Sequence, residues 1–317
     1  MPPDHAQPIP LILSFGSVNI DIVAYSAALA RPGETIHAGR TSIGLGGKGA
    51  NQAAAASRLA SSLGLQVALA GRTGTDLFAE LARRHLAGFG VDLSALRSDP
   101  DHPTGLALIG VDAAGENAIT VAGGANMALD ATDTDPLVSL LSRTRVLLLQ
   151  LETPLAVSLE AARLARAAGA TVILDPAPAP ADGLPDAFWP LIDLVTPNET
   201  ETESLVGIRP TDRQSAAAAA DRLQARGLRR AIVKLGARGV FWRDGAAEGF
   251  VEPFSVQAID SVAAGDCFNG GLAVALARGD TLADAVRFAA ACGALATTKS
   301  GAAEAAPTLE AVQALLG

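Results

Sequence analysis

The sequence predicts a single α/β domain with a mainly parallel central sheet, helices on both of its faces and a small β-sheet lid. Three observations carry that prediction. Short apolar runs at 11–15, 67–70, 146–151, 171–174, 191–195 and 231–235 alternate with Ala/Leu-rich segments of helical periodicity. Two stretches, 20–43 and 104–121, break the alternation and are rich in Gly, Thr and alternating apolar residues. The 317 residues, 49% of them hydrophobic, suffice to bury a large core, and 1–317 is read as one domain.

Each element follows from its local pattern. Strands separated by helices are joined by crossovers, and crossovers give parallel pairs buried on both faces, which explains why the runs are almost wholly apolar. Apolar positions three and four apart predict helices at 51–63, 75–88, 154–168, 212–226, 266–277 and 282–298. The two exceptional stretches carry turn signals, Pro32-Gly33 in one and Ala114-Gly115-Glu116-Asn117 in the other, and predict the strands of the lid. Runs at 240–243 and 250–254 flank a polar turn and predict a hairpin.

Composition excludes several function classes. A net charge of −9 and the absence of a Lys/Arg cluster with interleaved aromatics disfavour nucleic acid and anionic membrane as partners. The Ala-rich runs are interrupted by Arg and Asp, so none is long enough for a membrane span. Cys267 and Cys292 lack metal-ligand spacing and predict a pair of small buried hydrophobes in a reducing, cytoplasmic protein. His5, His37, His85 and His102 are scattered without zinc spacing. Residues 1–10 are Pro-rich without a basic flank and apolar core, and predict a short disordered lead, not a signal peptide.

Five motifs could carry chemistry. In Asp260-Ser261-Val262-Ala263-Ala264-Gly265-Asp266-Cys267-Phe268-Asn269-Gly270-Gly271, a helix beginning near Gly265 would aim unpaired N–H groups at an anion while Asp266 received a proton. An ordinary capped helix start explains the same residues. Gly44-Leu45-Gly46-Gly47-Lys48-Gly49-Ala50-Asn51-Gln52 allows close backbone approach and adds donors at Lys48 and Asn51. It is neither a P-loop, since Gly49 stands where a hydroxyl residue belongs, nor a dinucleotide fingerprint, since no clean βα unit precedes it. A flexible surface loop is the competing reading.

Gly16-Ser17-Val18-Asn19-Ile20-Asp21 ends the first strand and can present an amide and a carboxylate to a polyol, or can be turn chemistry alone. In Thr196-Pro197-Asn198-Glu199-Thr200-Glu201, Asn198 and Glu201 share a helix face, to orient hydrated Mg²⁺ or to form a capping box. Lys234-Leu235-Gly236-Ala237-Arg238-Gly239 offers backbone amides to a triphosphate, or simply turns the chain between strands.

In this order the motifs, together with Pro32-Gly33-Glu34-Thr35, Gly124-Ala125-Asn126, Gln150-Leu151-Glu152 and Asp175-Pro176-Ala177-Pro178-Ala179, resemble the ribokinase (PfkB-type carbohydrate kinase) family from about residue 11 to 307. The resemblance implies transfer of the γ-phosphoryl of MgATP to the 5-hydroxyl of D-ribose, with a kinase for another sugar or a nucleoside as the alternative. It implies Asp266 as catalytic base and an anion hole at Ala263, Ala264 and Gly265. It places sugar contacts at Asn19, Ile20, Asp21, Gly47, Lys48, Gly49, Ala50, Asn51 and Glu152. It places ATP contacts at Asn198, Gly265, Asp266 and the turn of Lys234, Leu235, Gly236, Ala237, Arg238 and Gly239. Glu201 falls on the family's Mg²⁺-orienting motif, and Asp260, Val262, Ala296, Lys299, Gly301 and Ala305 fall where a monovalent cation, usually K⁺, is held. The family pattern has Thr at Ser261 and Cys267, and Ser is common at Ala237 and Ala305, so the cation site loses a hydroxyl. A homodimer joined through the lids is expected, because a small exposed sheet has an apolar face to cover. A non-catalytic sugar sensor on this scaffold is disfavoured by the intact Asp266, and a nicotinamide oxidoreductase by the missing fingerprint.

Overall fold

The computed structural model describes residues 9–317; residues 1–8 of the expected lead lie outside the described part. The strands in chain order are β1 (Leu11–Phe15), β2 (Asn19–Tyr25), β3 (Arg40–Gly46), β4 (Gln66–Thr73), β5 (Leu96–Ser98), β6 (Gly105–Val111) and β7 (Asn117–Ala122). They continue as β8 (Thr144–Leu149), β9 (Thr171–Leu174), β10 (Leu194–Val195), β11 (Arg230–Lys234), β12 (Val240–Asp244) and β13 (Ala247–Val251). The helices are α1 (Lys48–Ala60), α2 (Leu77–Gly88), α3 (Asp135–Leu141), α4 (Leu155–Ala167) and α5 (Glu199–Val206), then α6 (Arg213–Ala225), α7 (Ala264–Arg278), α8 (Leu282–Ala296) and α9 (Leu309–Leu316).

The main sheet runs β13-β12-β11-β10-β9-β8-β1-β4-β5, parallel except for the β11–β12–β13 meander at one edge. Alternate residues of each strand enter opposite layers. Ile12, Val146 and Leu148 join the core under α1, α7 and α8, whereas Leu11, Leu13, Leu147 and Leu149 join the core under α4 and α6. Strand order reverses at β1: the chain builds outward to β4 and β5 on one side, and to β8 and beyond on the other. The crevice beyond the carboxyl ends of β1 and β8 is therefore the topological switch point, where open α/β sheets bind ligands.

The second sheet, β3-β2-β6-β7, is the lid. It uses the ends of the expected 20–43 stretch and most of 104–121, while residues 26–39 lack strand structure. Helix boundaries moved by a few residues; α1 begins at Lys48 instead of residue 51 because Gly47 already turns the chain into it. The expected strand at 191–195 shrinks to Leu194–Val195, since Trp189–Leu191 forms a 3₁₀ turn led by a proline. Short elements were missed altogether: β5, α3 and α9 lack enough residues to show a period. Both cysteines are free and buried, as expected, and burial pushes the Cys267 thiol up to about 12.

Candidate active site

The switch point gathers side chains from β1, β2, α1, the β8 exit and α7. Ser17, just beyond β1, donates its hydroxyl to Glu152, and the Lys48 amide donates to the same carboxylate oxygen at 3.0 Å. Glu152 thus supplies the negative charge at the α1 N-terminus, whose own first turn has no acidic residue. Gly47 makes the entry: its φ is 83°, and a Cβ there would stand 2.7 Å from the Asn19 amide nitrogen. Asn19 is nearly fully buried, and Asn126 holds it by donating Nδ2 to Asn19 Oδ1 at 2.7 Å while its own Oδ1 accepts from the Val18 amide.

Asp266 sits in the first turn of α7, and α7 packs closely against α1 because Gly270 has no side chain. A Cβ at Gly270 would lie 2.8 Å from both Ala55 Cβ and the Ala56 nitrogen. That closeness lets Asn51 Nδ2 donate to Asp266 Oδ2 at 3.2 Å and Gln52 Nε2 donate to Asp266 Oδ1 at 3.0 Å. Gln52 Nε2 also reaches Asp175 Oδ2 at 3.0 Å, and Gln150 Nε2 donates to Gln52 Oε1 at 2.7 Å. Burial pushes the Asp266 carboxyl above its ordinary value and Asp175 adds to the rise, while the Lys48 ammonium and the two amide donors oppose it. A carboxylate so raised is a stronger base than a surface aspartate. Around Lys48, burial alone would lower the ammonium, but Asp266, Asp175, Glu152 and Glu201 reverse that and raise it.

The backbone before Asp266 is unusual. Ala263 has φ 56° and ψ 10°, and it is the one non-glycine residue at positive φ among those described. A left-handed alanine costs about 1–2 kcal/mol. The turn so made leaves the Gly265 and Asp266 amides without a hydrogen-bond partner among the described residues, while the Ala264 amide reaches Ser261 O at 3.3 Å. An α-helix of 15 residues with free leading amides suits an oxyanion.

Asp21, on β2 of the lid, faces the same crevice. Its carboxyl is raised to about 6 by burial first, then by Glu152, Glu304 and Asp266. Asn51 Oδ1 is buried without a partner, an acceptor free for a hydroxyl group. Of the other expected sugar contacts, Ile20 and Ala50 have fully buried side chains, and Gly49 packs against Gly16, so these three can offer only backbone.

The expected nucleotide residues lie on the neighbouring strand ends. The Lys234 amide donates to Pro197 O at 2.9 Å, which joins the 234–239 turn to the Asn198 cap of α5. Asn198 and Glu201 form a reciprocal capping box, so the capping reading of that motif holds, with both Glu201 oxygens accepting from Asn198. Within the turn the amides of Leu235, Arg238 and Gly239 are consumed by Gly239, Leu235 and Gly236 carbonyls. Gly236 and Ala237 keep theirs without an acceptor among the described residues, Leu235 is buried, and Arg238 pairs with Glu199 at 2.7 Å.

At the expected cation loop, the Asp260 carboxylate accepts from the Val262 amide at 3.0 Å and the Gly301 amide at 3.2 Å. It thereby ties the loop before α7 to the loop after α8. Ala296 and Ala305 are buried beside Cys267, whereas Val262 and Lys299 are exposed. A separate cavity of about 230 Å³, lined by Arg166, Trp189, Asp193 and Arg230 among others, opens at the amino ends of β10 and β11, on the opposite edge from Asp266.

Sequence reading missed Gln52, Asp175, Gln150 and Asn126 as site residues, although all four lie in motifs it quoted. A glutamine or asparagine announces its role only when burial forces it to find partners, and burial was not visible.

Residues 10–309 match the pfkB family carbohydrate kinase profile. A ribokinase of Haemophilus influenzae is 39% identical over 293 residues, covering 92% of this chain and 94% of that protein. A deoxyribokinase of Salmonella typhi is 33% identical over 299 residues, covering 94% and 96%. The solved structure of Arabidopsis thaliana ribokinase complexed with ribose and ATP superposes with a TM-score of 0.88 at 32% identity, covering 97% of this chain and 98% of that one. The chain belongs to the pfkB family of carbohydrate kinases.

Proposed function

We propose that this chain is an ATP-dependent ribokinase, transferring the γ-phosphoryl group of ATP to the O5 hydroxyl of D-ribose to give D-ribose 5-phosphate and ADP. The observation that carries the reading is the buried Asp266, held through both carboxylate oxygens beside free amides at the head of α7 and facing a crevice lined by Asn19, Asp21, Asn51 and Glu152. The sugar is oriented by those amides and carboxylates with the Lys48 ammonium. Asp266 takes the hydroxyl proton, and the Ala263–Gly265 turn, with Gly265 and Asp266 offering the free amides, receives the charge of the transferring group. Asn198 and the Gly236 and Ala237 amides hold the nucleotide. The lid excludes water, which would otherwise compete as acceptor.

Mg²⁺ bound with the nucleotide neutralises phosphate charge. Glu201 would orient the hydration shell of an Mg²⁺ ion carried in with the phosphates. K⁺ would be held at the loop tied by Asp260, with Val262, Ala296, Lys299, Gly301 and Ala305 around it, and would supply positive charge near the anion hole. Ala305 brings no hydroxyl, so activation is expected to need more K⁺ than a serine there would.

The lid leaves Ile43 and Leu108 about half exposed on one face and Ile119 and Val121 on the other, and we propose that a second copy of the chain covers one of these faces to give a homodimer. None of the described helices is long and apolar enough to cross a membrane, and the two free, buried thiols suit a reducing cytoplasm.

The deoxyribokinase relative makes 2-deoxyribose the sharpest competitor, and a kinase for another sugar or a nucleoside is the wider alternative. ATP-dependent ADP release should be measured side by side for ribose, deoxyribose, fructose and adenosine, with and without K⁺. Ribose is expected to give the highest kcat/KM by at least about tenfold, since a lost hydroxyl partner at a site built to bind it is costly. Equal turnover of another substrate overturns the assignment. Light scattering at micromolar concentration should give twice the chain mass; monomer alone refutes the dimer.

A further inference from the structure

The side chain of Lys234 does not point where its turn does. Its backbone opens the 234–239 turn, yet its Nζ lies 3.3 Å from Asp175 Oδ1, with the lysine side chain 13% exposed and the aspartate 3%. A Cβ built on Gly265 would stand 3.5 Å from that Nζ, so the ammonium rests against the anion turn itself. It also lies 5.9 Å from the ring centre of Phe268, in the first turns of α7. Glu201 feels the same charge: burial pushes that carboxyl up, and the Lys234 charge pulls against the rise.

Nothing in the turn's role requires this geometry. A triphosphate held by the Gly236 and Ala237 amides would be satisfied with any strand residue at 234, and a buried ammonium carries a desolvation cost that a neutral residue avoids. Asp175 offsets the cost, but Asp175 is already bound through its other oxygen to Gln52, which also binds Asp266. The cation is thus tied into the same network as the base and rests beside the free amides at the head of α7, where the kinase reading puts the incoming γ-phosphoryl group.

We propose that the Lys234 ammonium is a catalytic residue that contacts the transferring phosphoryl group and rests on Asp175 between turnovers. This rests on the kinase reading of the site given above. In the step, the sugar O5–H bond gives its proton to Asp266, the oxygen pair forms the bond to the γ-phosphorus, and the bond from that phosphorus to the β,γ-bridging oxygen breaks to release ADP. Lys234 keeps its proton throughout and supplies charge to the equatorial oxygens as the amides do, a role for which losing one donor typically costs about 10²-fold or more in turnover.

The alternative is that Lys234 only neutralises Asp175. Lys234→Gln, Lys234→Arg, Asp175→Asn and the double variant Lys234→Gln/Asp175→Asn separate the two. Lys234→Gln is expected to lose about 10²-fold in kcat, with sugar affinity by calorimetry within about threefold of the parent, and Lys234→Arg to recover part of the loss. The double variant has no buried charge left unpaired, yet is expected to remain as slow as Lys234→Gln. A second readout does not depend on which sugar is used: Lys234→Gln should weaken binding of ADP with aluminium fluoride, which mimics the transferring group, at least about tenfold more than binding of ADP alone. The proposal is overturned if Lys234→Gln turns over within threefold of the parent, if the double variant regains parental turnover, or if ADP and ADP with aluminium fluoride weaken equally. A parent that phosphorylates no sugar would sink the kinase reading instead, and the aluminium fluoride comparison would still decide the role of Lys234 toward a phosphoryl-shaped anion.

Discussion

The sugar side of the cleft and its nucleotide side are built differently. On the sugar side the side chains are held by one another: Glu152 by Ser17 and Lys48, Asn19 by Asn126, Asp266 by Asn51 and Gln52, with Asn51 Oδ1 left open among the described residues. On the nucleotide side the Gly236 and Ala237 amides have no acceptor among the described residues, and the chain from 252 to 262 forms neither helix nor strand. The first side suits a small neutral polyol, which has no charge to guide it and must be met by prearranged donors and acceptors. The second meets a highly charged ligand, for which open amides, a cation and a compliant loop suffice. Selectivity is therefore expected to reside in side chains on one side and in backbone on the other.

The largest effect tests the prebuilt side at its centre. Asp266→Asn keeps the size of the residue and one of its two accepted hydrogen bonds but cannot take a proton, so turnover should fall about 10³-fold or more while ribose binding by calorimetry stays within about threefold. Unchanged turnover would remove Asp266 as the base. A smaller effect comes from pH. Burial raises the Asp21 carboxyl from an ordinary 3.8 to about 6, so below that point it is increasingly neutral and a weaker acceptor for sugar hydroxyls. For ribose, kcat/KM is expected to drop about tenfold for each pH unit below 6, and Asp21→Asn should remove that limb of the profile. The same shift has a stability consequence of defined sign: the folded pKa is raised, so the contribution of Asp21 is fully present below pH 3.8 and lost as pH rises through about 6 in the sugar-free protein. Melting temperatures of parent and Asp21→Asn, followed from below pH 3.8 to above about 6, should draw apart as the pH rises through that interval and keep a constant gap beyond it. The smallest effect tests the open side. If backbone amides carry the nucleotide contact, Ala237→Ser should leave the KM for ATP within about twofold, since a change at an exposed turn rarely exceeds about 0.5 kcal/mol. A larger gain or loss would show that side chains act there too.

Legibility followed the same division. The strands of the main sheet were readable because burial on both faces leaves an uninterrupted apolar run, as at Leu11–Phe15, and the lid was readable because its period changes. The catalytic turn was readable as a motif, but the conformation of Ala263 was not: an alanine gives no signal of a left-handed backbone, and only the packing around it holds one there. Gln52 sat one residue beyond the expected contact Asn51, and its importance arose from α1 lying against Gly270 of α7, more than two hundred residues later.

By itself the sequence determined the layers, the lid and the order of the motifs, because periodicity and turn chemistry act over a few residues and survive in the linear text. The tertiary structure alone decided which motif atoms are consumed and which remain free. Three of the turn amides at 235–239 are spent on their own carbonyls, the Asn198–Glu201 pair closes on itself, and the Lys234 side chain leaves its turn for Asp175. Those outcomes depend on distances between segments far apart in the chain, set by how closely two helices and a sheet can pack, and no local pattern encodes them.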